Sequence, residues 1–514
     1  MSAPVETSSA GAGPQAMVVG ELAEARASGF EAFQERWGDR LNPLVVKEVR
    51  QGLRTRVFWV CFGLMLVACV VLSLIAFVET RDSAFTQHGQ GFFLAYFTCL
   101  SVVHFIVIPY SAYRSLARER EDDTWVLLVL TGLGPRKILR GKMLSYLVQA
   151  GLYASAVGPF LLFSYYLNGI SLPNILTVLG LGGAWLMFLT VVAVCAATLA
   201  DGRMGRALVH FVVLGALASG WGSVMISTGV WLESGSRSLR LGDLTQTVVI
   251  LLTWMFLEGW LLFEVAASRL SLSTEDYTRG PRRAVVGQMA VALVGGLLLW
   301  WNAGFDVEVA EIFGVVGAVH LGLVSLFMAT DVDGQARALR AVTGPFSLFK
   351  PGALRGFRLA VLLLMGWCAV WLGIELGWGD GLTKSIIGRM LTVVMPAYIL
   401  IYLSLGILVG RMGGTDRFSS PGALRLLVLV LMGLGSGVPP LVAALLGLDT
   451  THVHLNLLNP VVGMNLFSTT DYDDGVTSPL MSWQQVDTVV VVALILAFLA
   501  DRVLSAREKW AHRS

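Results

Sequence analysis

Twelve runs of about twenty apolar residues dominate this sequence. A helix rising ~1.5 Å per residue needs about that length to cross a ~30 Å hydrocarbon core. The runs fall at 57–78, 91–113, 143–168, 174–200, 206–232, 245–267, 284–304, 310–330, 358–378, 388–410, 424–447 and 487–505. They predict an all-α, polytopic integral membrane protein with about 12 transmembrane helices. The tight connections at 169–173, 201–205 and 305–309 also allow two spans to form a re-entrant pair. Composition agrees with the count. Charged residues make up 14% of the chain, against roughly 25% in a soluble domain. The net charge of +2 gives no global basic field of the kind nucleic acid would require.

The charges set an expected orientation. With the N-terminal segment placed in the cytoplasm, 32 of the 37 Lys and Arg residues fall on the inside and 5 on the outside. That split follows the positive-inside rule, and an odd span count breaks it. Residues 1–41 are rich in Ala, Gly, Ser and Glu and lack a signal-peptide core, so they read as a cytoplasmic tail. The expected division is then an interfacial helix at 42–56, a first six-span bundle at 57–283 and a second at 284–514. An outside loop at 448–486 belongs to the second bundle and contains no basic residue. Both termini are expected in the cytoplasm.

Two stretches on the expected cytoplasmic side are specific. Residues 42–56 read NPLVVKEVRQGLRTR. Asn42 suits a helix cap and Pro43 a first helical position. Val46, Val49 and Leu53 share one face, and Lys47, Arg50 and Arg54 another. The pattern suits a helix lying in the membrane interface. The second stretch, 119–142, runs from an acidic cluster through Thr124, Trp125, Leu127 and Leu128 to Thr131 and a basic cluster. Its apolar part is too short to span. Thr124 and Thr131 are placed to cap short helices, and Gly141 marks the turn into the third span. A cytoplasmic knob bearing Trp125 and Leu128 needs either a partner surface or the chain's own spans to cover it.

These residues resemble the permease subunits of ATP-binding-cassette (ABC) exporters of the second type. In that family a Glu, a Thr, a run of Leu, a second Thr, an Ile and a Gly-Lys form the coupling helix that docks on the ATPase. Glu119, Thr124, Leu127, Leu128, Thr131, Ile138, Gly141 and Lys142 match in order and spacing. Asn42, Pro43, Lys47, Glu48 and Arg50 resemble the family's elbow helix, and Ala267 to Leu270 with Arg279 its exit from the sixth span. The resemblance covers residues 42–283. It departs at Gly132, Asp123 and Val126, where the family usually has Pro, Gly and Glu. It implies a separate ABC ATPase subunit as partner, in a bacterial inner membrane. It also implies ATP and Mg held on that partner, with no cofactor bound directly by this chain.

The sequence lacks a Walker A loop, and the string Gly134 to Met143 has the wrong spacing for one. It also lacks HExxH, GxSxG and GxGxxG motifs. No catalytic or metal-binding residues are assigned, and no enzymatic activity is expected of the chain itself. Cys61, Cys69, Cys99, Cys195 and Cys368 all sit in apolar runs and read as small buried residues. The string Asp471-Tyr472-Asp473-Asp474 reads as a solvated turn. His104, Glu258 and His320 fall near mid-span and are candidate pathway residues, or else hydrogen-bonded structural ones. Glu264, Glu311 and Glu375 lie nearer the span ends, within reach of polar surroundings. Pro109, Pro159 and Pro396 are expected to break or kink their spans.

The loop after the eighth span carries Ala336 to Val342, which reads either as a degenerate docking helix or as an ordinary loop. In the latter case a second permease chain or a homodimer completes the pathway. Two further classes compete with the permease reading. One is a transporter driven by an ion gradient, and the other a membrane scaffold or enzyme.

Overall fold

The computed structural model describes residues 43–82, 89–122, 134–199, 203–234, 241–272, 275–335, 337–340, 347–378, 383–412, 420–473 and 476–512. Its elements are a short helix α1 (Pro43–Leu53), followed by α2 (Arg56–Asp82) and α3 (Gly89–Glu121). Next come α4 (Pro135–Tyr166), α5 (Leu172–Ala197), α6 (Arg203–Ser234) and α7 (Leu241–Arg269). They are followed by α8 (Arg279–Asn302), α9 (Val307–Ala329), the single turn α10 (Arg337–Arg340), α11 (Ala353–Trp378), α12 (Thr383–Met412) and α13 (Pro421–Leu445). Two short helices, α14 (Val453–Asn456) and α15 (Val462–Ser468), precede a hairpin of β1 (Thr470–Asp473) and β2 (Val476–Pro479), and α16 (Trp483–Ala511) ends the order.

Among the described residues, twelve helices of 23 to 33 residues are long and apolar enough to cross a membrane. Even the shortest reaches ~34 Å at 1.5 Å per residue. The protein is therefore an all-α, multi-pass membrane protein. Each connection suspected of a re-entrant pair instead joins two full-length helices. Helix starts follow local chemistry. The Ser171 hydroxyl accepts the Asn174 N–H at the head of α5, with Pro173 in the first turn. Ser420 accepts the Ala423 N–H at the head of α13 in the same way, with Pro421 in the first position. Ser482 and Gln485 form a capping box at α16.

The chain divides into two compact units, residues 1–259 and 260–514, with the boundary inside α7. Within each unit the helices pair in a similar order. In the first, α3 packs on α2, α4, α5 and α6, and α5 packs on α4 and α6. In the second, α9 packs on α8, α11, α12 and α13, and α12 packs on α11 and α13. The second long helix is thus central in both. In the second unit α12 also packs closely on α16.

Small residues permit the close approaches. Gly314, Gly317 and Gly322 on α9 lie against Thr392, Trp367 and Ile399, and the Trp367 indole N–H reaches the Phe313 carbonyl at 3.0 Å. Gly406 on α12 lies against Val428 of α13. The outward faces are apolar, as with Leu64, Val67, Leu74 and Phe77 on α2, which suits lipid contact.

Several expectations are revised. Pro159 and Pro396 lie inside α4 and α12, which continue through them. At Pro109 the regular α-helix is interrupted, since this residue follows a π-helical turn, Val103–Val107, within α3. The string Asp471 to Asp473 lies in β1 of the antiparallel hairpin rather than in a turn. In the loop before it, Asn456 and Asn459 are fully buried. The Asn459 amide donates to the Ser436 carbonyl at 3.0 Å, and its oxygen accepts from the Val461 and Val462 N–H groups at 3.0 Å. The Tyr398 and Tyr402 hydroxyls donate to the Leu457 and Leu458 carbonyls at 2.7 and 2.8 Å. These bonds satisfy polar groups that the bundle shuts away from water.

The contact between α9 and α11 yields a test. A Cβ at Gly356 would fall on the Met328 backbone carbonyl, whereas one at Gly366 would meet nothing within 4 Å. Gly356→Ala is expected to lower stability by about 1–3 kcal/mol. Gly366→Ala should be neutral or slightly stabilising. Thermal unfolding in mild detergent compares the two.

Candidate functional site

The specific residues of the first unit meet where α2 and α4 begin and α3 ends. Pro43 heads α1, as its fixed φ favours. Thr55 closes α1 and opens α2, because its hydroxyl donates to the Gly52 carbonyl at 2.8 Å and accepts from the Phe58 N–H at 3.3 Å. α1 packs on α4. Glu48 lies beside Lys142 and Gly52 beside Gln149, so the two helices advance in the same direction. Val45 is buried, Val49 and Leu53 are half-buried, and Val46 lies toward the cationic side. α1 thus makes a protein contact along one side and leaves its cationic side exposed.

Lys142 is the centre of this site. It is 1% exposed. Its ammonium donates to Glu119 at 2.6 Å, to Glu48 at 3.1 Å and to the Ser115 hydroxyl at 3.3 Å. An ammonium has three donors, and all three are used. Glu119 and Ser115 come from the end of α3, Glu48 from α1 and Lys142 from α4. One cation thus ties three elements together. Ile138 and Gly141 are buried on the same helix. Gly141 marks no turn, because α4 begins at Pro135, with Gly134 in its cap position. The helix starts before the apolar run because Pro135 suits a first turn and polar residues can extend a span into water.

Further contacts gather the neighbouring helix ends. The Arg120 guanidinium donates to the Ala197 carbonyl at the end of α5 at 3.1 Å. Arg206 on α6 lies 3.8 Å from Glu121 in an exposed pair, which adds little energy. Tyr110 and His210 share a 3.3 Å hydrogen bond between α3 and α6. Thr124, Trp125, Leu127, Leu128 and Thr131 lie outside the described residues, as does Asn42. Lys47 and Arg50 are exposed on α1.

The candidate pathway residues have separate local settings. His104 is buried in the π turn of α3, its Nδ1 3.1 Å from the Leu100 carbonyl. Glu258 is half-buried on α7. His320, in the second unit, shares a 3.3 Å hydrogen bond with Gln288 of α8. Glu375, expected within reach of polar surroundings, is fully buried. One of its oxygens accepts from the Thr392 hydroxyl at 2.7 Å, and the other has no partner among the described residues. α11 runs on to Trp378, which keeps Glu375 inside the bundle. No cluster of three or more metal-ligating side chains occurs among the described residues, and all five cysteines are free thiols.

The sequence did not single out the polar centre of the second unit. Arg282, 2% exposed at the start of α8, donates to the carbonyls of Leu348, Lys350 and Gly352 at 2.8, 2.5 and 3.0 Å. It also pairs with Asp331 at 3.3 Å. Tyr277 donates to the other Asp331 oxygen at 3.0 Å. Burial, with the Asp331 carboxylate beside it, pushes the Tyr277 phenol above its usual range. Gly352 adopts φ +128°, which glycine tolerates, and its N–H donates to Asp331 at 3.1 Å.

Arg340 donates to the Gln335, Ala511 and His512 carbonyls, and Arg411 pairs with Asp333. Burial raises the Asp333 carboxyl against the pull of Arg411. The only signal in the sequence was a basic residue at one span start and an acid at another span end. The α10 turn, within the stretch read as a degenerate docking helix, is thus stitched to its own unit.

Compared with family models, with curated proteins and with solved structures, the chain matches none.

The Lys142 cluster makes a sharp prediction. Lys142→Met leaves two carboxylates around a buried site and is expected to cost about 3–5 kcal/mol. Glu48→Gln retains the pairing with Glu119 and should cost less. Unfolding temperature in mild detergent is the readout. Equal stability of Lys142→Met and the wild type would remove Lys142 from this role.

Proposed function

We propose that this chain is the membrane-spanning permease subunit of an ABC-type exporter, with ATP hydrolysis on a separate ATPase chain. The observation that supports this most is the Lys142 cluster. Glu119 and Lys142 are the first and last residues of the 119–142 stretch that resembles the coupling helix, and they form a 2.6 Å ion pair. Glu48 joins α1 to the same point. A displacement of that stretch is then passed to α1, α3 and α4 together, with α5 following through Arg120. Transmission of this kind requires rigid elements and a shared pivot. The distribution of basic residues supports a cytoplasmic location for this end, and the resemblance supports a bacterial inner membrane. ATP and Mg belong to the partner, and a second permease copy is compatible with the reading.

The test is to isolate the tagged chain in mild detergent and assay the eluate for ATPase activity. A stoichiometric ATPase is expected with the wild type. Leu128→Asp should lose it while unfolding at the wild-type temperature. A chain that carries no ATPase, or a variant that retains it fully, counts against the proposal.

Glu375 favours a second reading, a transporter driven by an ion gradient, because fully buried carboxyls in membranes often serve proton or cation pathways. That reading expects the purified chain alone, in sealed vesicles, to conduct protons or sodium. Glu375→Gln should then abolish the flux. Wild-type vesicles as tight as protein-free ones would exclude it.

A further inference from the structure

We propose that the outward face of α1 binds the headgroup of an anionic phospholipid from the surrounding bilayer. Val46, Lys47, Arg50, Gln51 and Arg54 line an open cavity of about 480 Å³. At helical spacing Lys47, Arg50 and Arg54 share a face, with Gln51 one turn after Lys47. All four polar residues are exposed. Glu48, the only acid of α1, is turned away from this face and committed to Lys142. Among the described residues, no acid pairs with Lys47, Arg50 or Arg54. Three positive charges therefore line one open surface cavity with no counter-charge from those residues.

The level of the cavity along the chain selects a lipid over other anions. Arg54 lies two residues before α2, whose apolar run begins at Val57. Arg50 is one helical turn before Arg54, about 6 Å along α1. A headgroup layer adds roughly 5–8 Å to each side of the hydrocarbon core. Standing within a few residues of the start of the apolar run, and on the polar face of an amphipathic helix, the cavity matches the level expected of lipid phosphates. Exposed Trp59, in the first turn of α2, is of the residue type enriched at that boundary. Arginine pairs bidentately with phosphate oxygens, and a lysine adds a compact charge. An amphiphile is held at both ends here, by phosphate contacts at α1 and by its chains along α2, whereas a free anion has only the first. This inference rests on the placement of α1 and holds whether or not an ATPase partner exists.

The experiment uses the full chain in a neutral detergent, titrated with phosphatidylglycerol, with phosphatidylcholine or with inorganic phosphate. Native mass spectrometry reads the retained lipid, and thermal unfolding reads protection. The wild type is expected to retain phosphatidylglycerol in preference to phosphatidylcholine and to unfold at a higher temperature in its presence. The triple variant Lys47→Gln, Arg50→Gln, Arg54→Gln should lose that preference several-fold. Arg50→Lys with Arg54→Lys should retain most of it, and single Arg50→Gln gives a partial loss if the triple variant fails to fold. Undiminished retention by the folded charge variants would overturn the proposal, as would equal protection by inorganic phosphate. Loss of a co-purifying ATPase with unchanged lipid retention would do so too, by making the face a protein contact.

Discussion

Hydrocarbon supplies no hydrogen-bond partner to a polypeptide backbone, so a chain that crosses it must satisfy its own N–H and C=O groups. The twelve long helices answer that demand turn by turn, and the remaining polar chemistry is pushed to their ends. Side chains inside the bundles follow the same rule. Serines and threonines such as Thr98, Ser111 and Thr190 donate back to carbonyls four residues earlier. The Trp221 indole finds the Ser101 hydroxyl at 2.8 Å. Glycines bring neighbouring helices close enough for dispersion to hold them, where lipid offers no hydrophobic drive.

At the ends of the spans both units resolve buried charge by gathering several helix termini around one cation. Lys142, on α4, collects two carboxylates and a hydroxyl from α1 and α3. Arg282 collects Asp331 and three backbone carbonyls. The difference in partner follows from the cation. A compact ammonium is well served by point charges, while the guanidinium fork can satisfy a run of carbonyls and so fold a whole loop. Such clusters contribute less to net stability than their short distances suggest, because each ion first loses its water. Their larger effect is to fix which helix ends move together.

A departure from regular α-helix lies within the span that packs on most of its neighbours in the first unit. The π turn at Val103–Val107 holds His104 and leads into Pro109. One extra residue in a turn shifts the helical face beyond it, and such turns are frequent at functional positions. Ser115 and Glu119 lie beyond this turn on α3, so the register it sets is also the one that brings both to Lys142.

The number and placement of the spans were legible in the sequence because hydrophobic length maps directly onto bilayer thickness. The basic residues were legible as end markers for the same reason. Glu48, Glu119 and Lys142 stood out as residues, yet their union did not, since positions 94 and 23 residues apart meet only when α1, α3 and α4 pack. Arg282 and Asp331 looked like ordinary flanking charges. Glu375 looked peripheral, because distance along a helix does not reveal which neighbours enclose it. The sequence by itself determined a multi-pass helical membrane protein and the chemistry available at each helix end. Only the tertiary structure decided which charges neutralise one another and which, like those of Lys47, Arg50 and Arg54, are left without an acidic partner among the described residues. Pairing is a property of helix packing, and apolar periodicity carries no record of it.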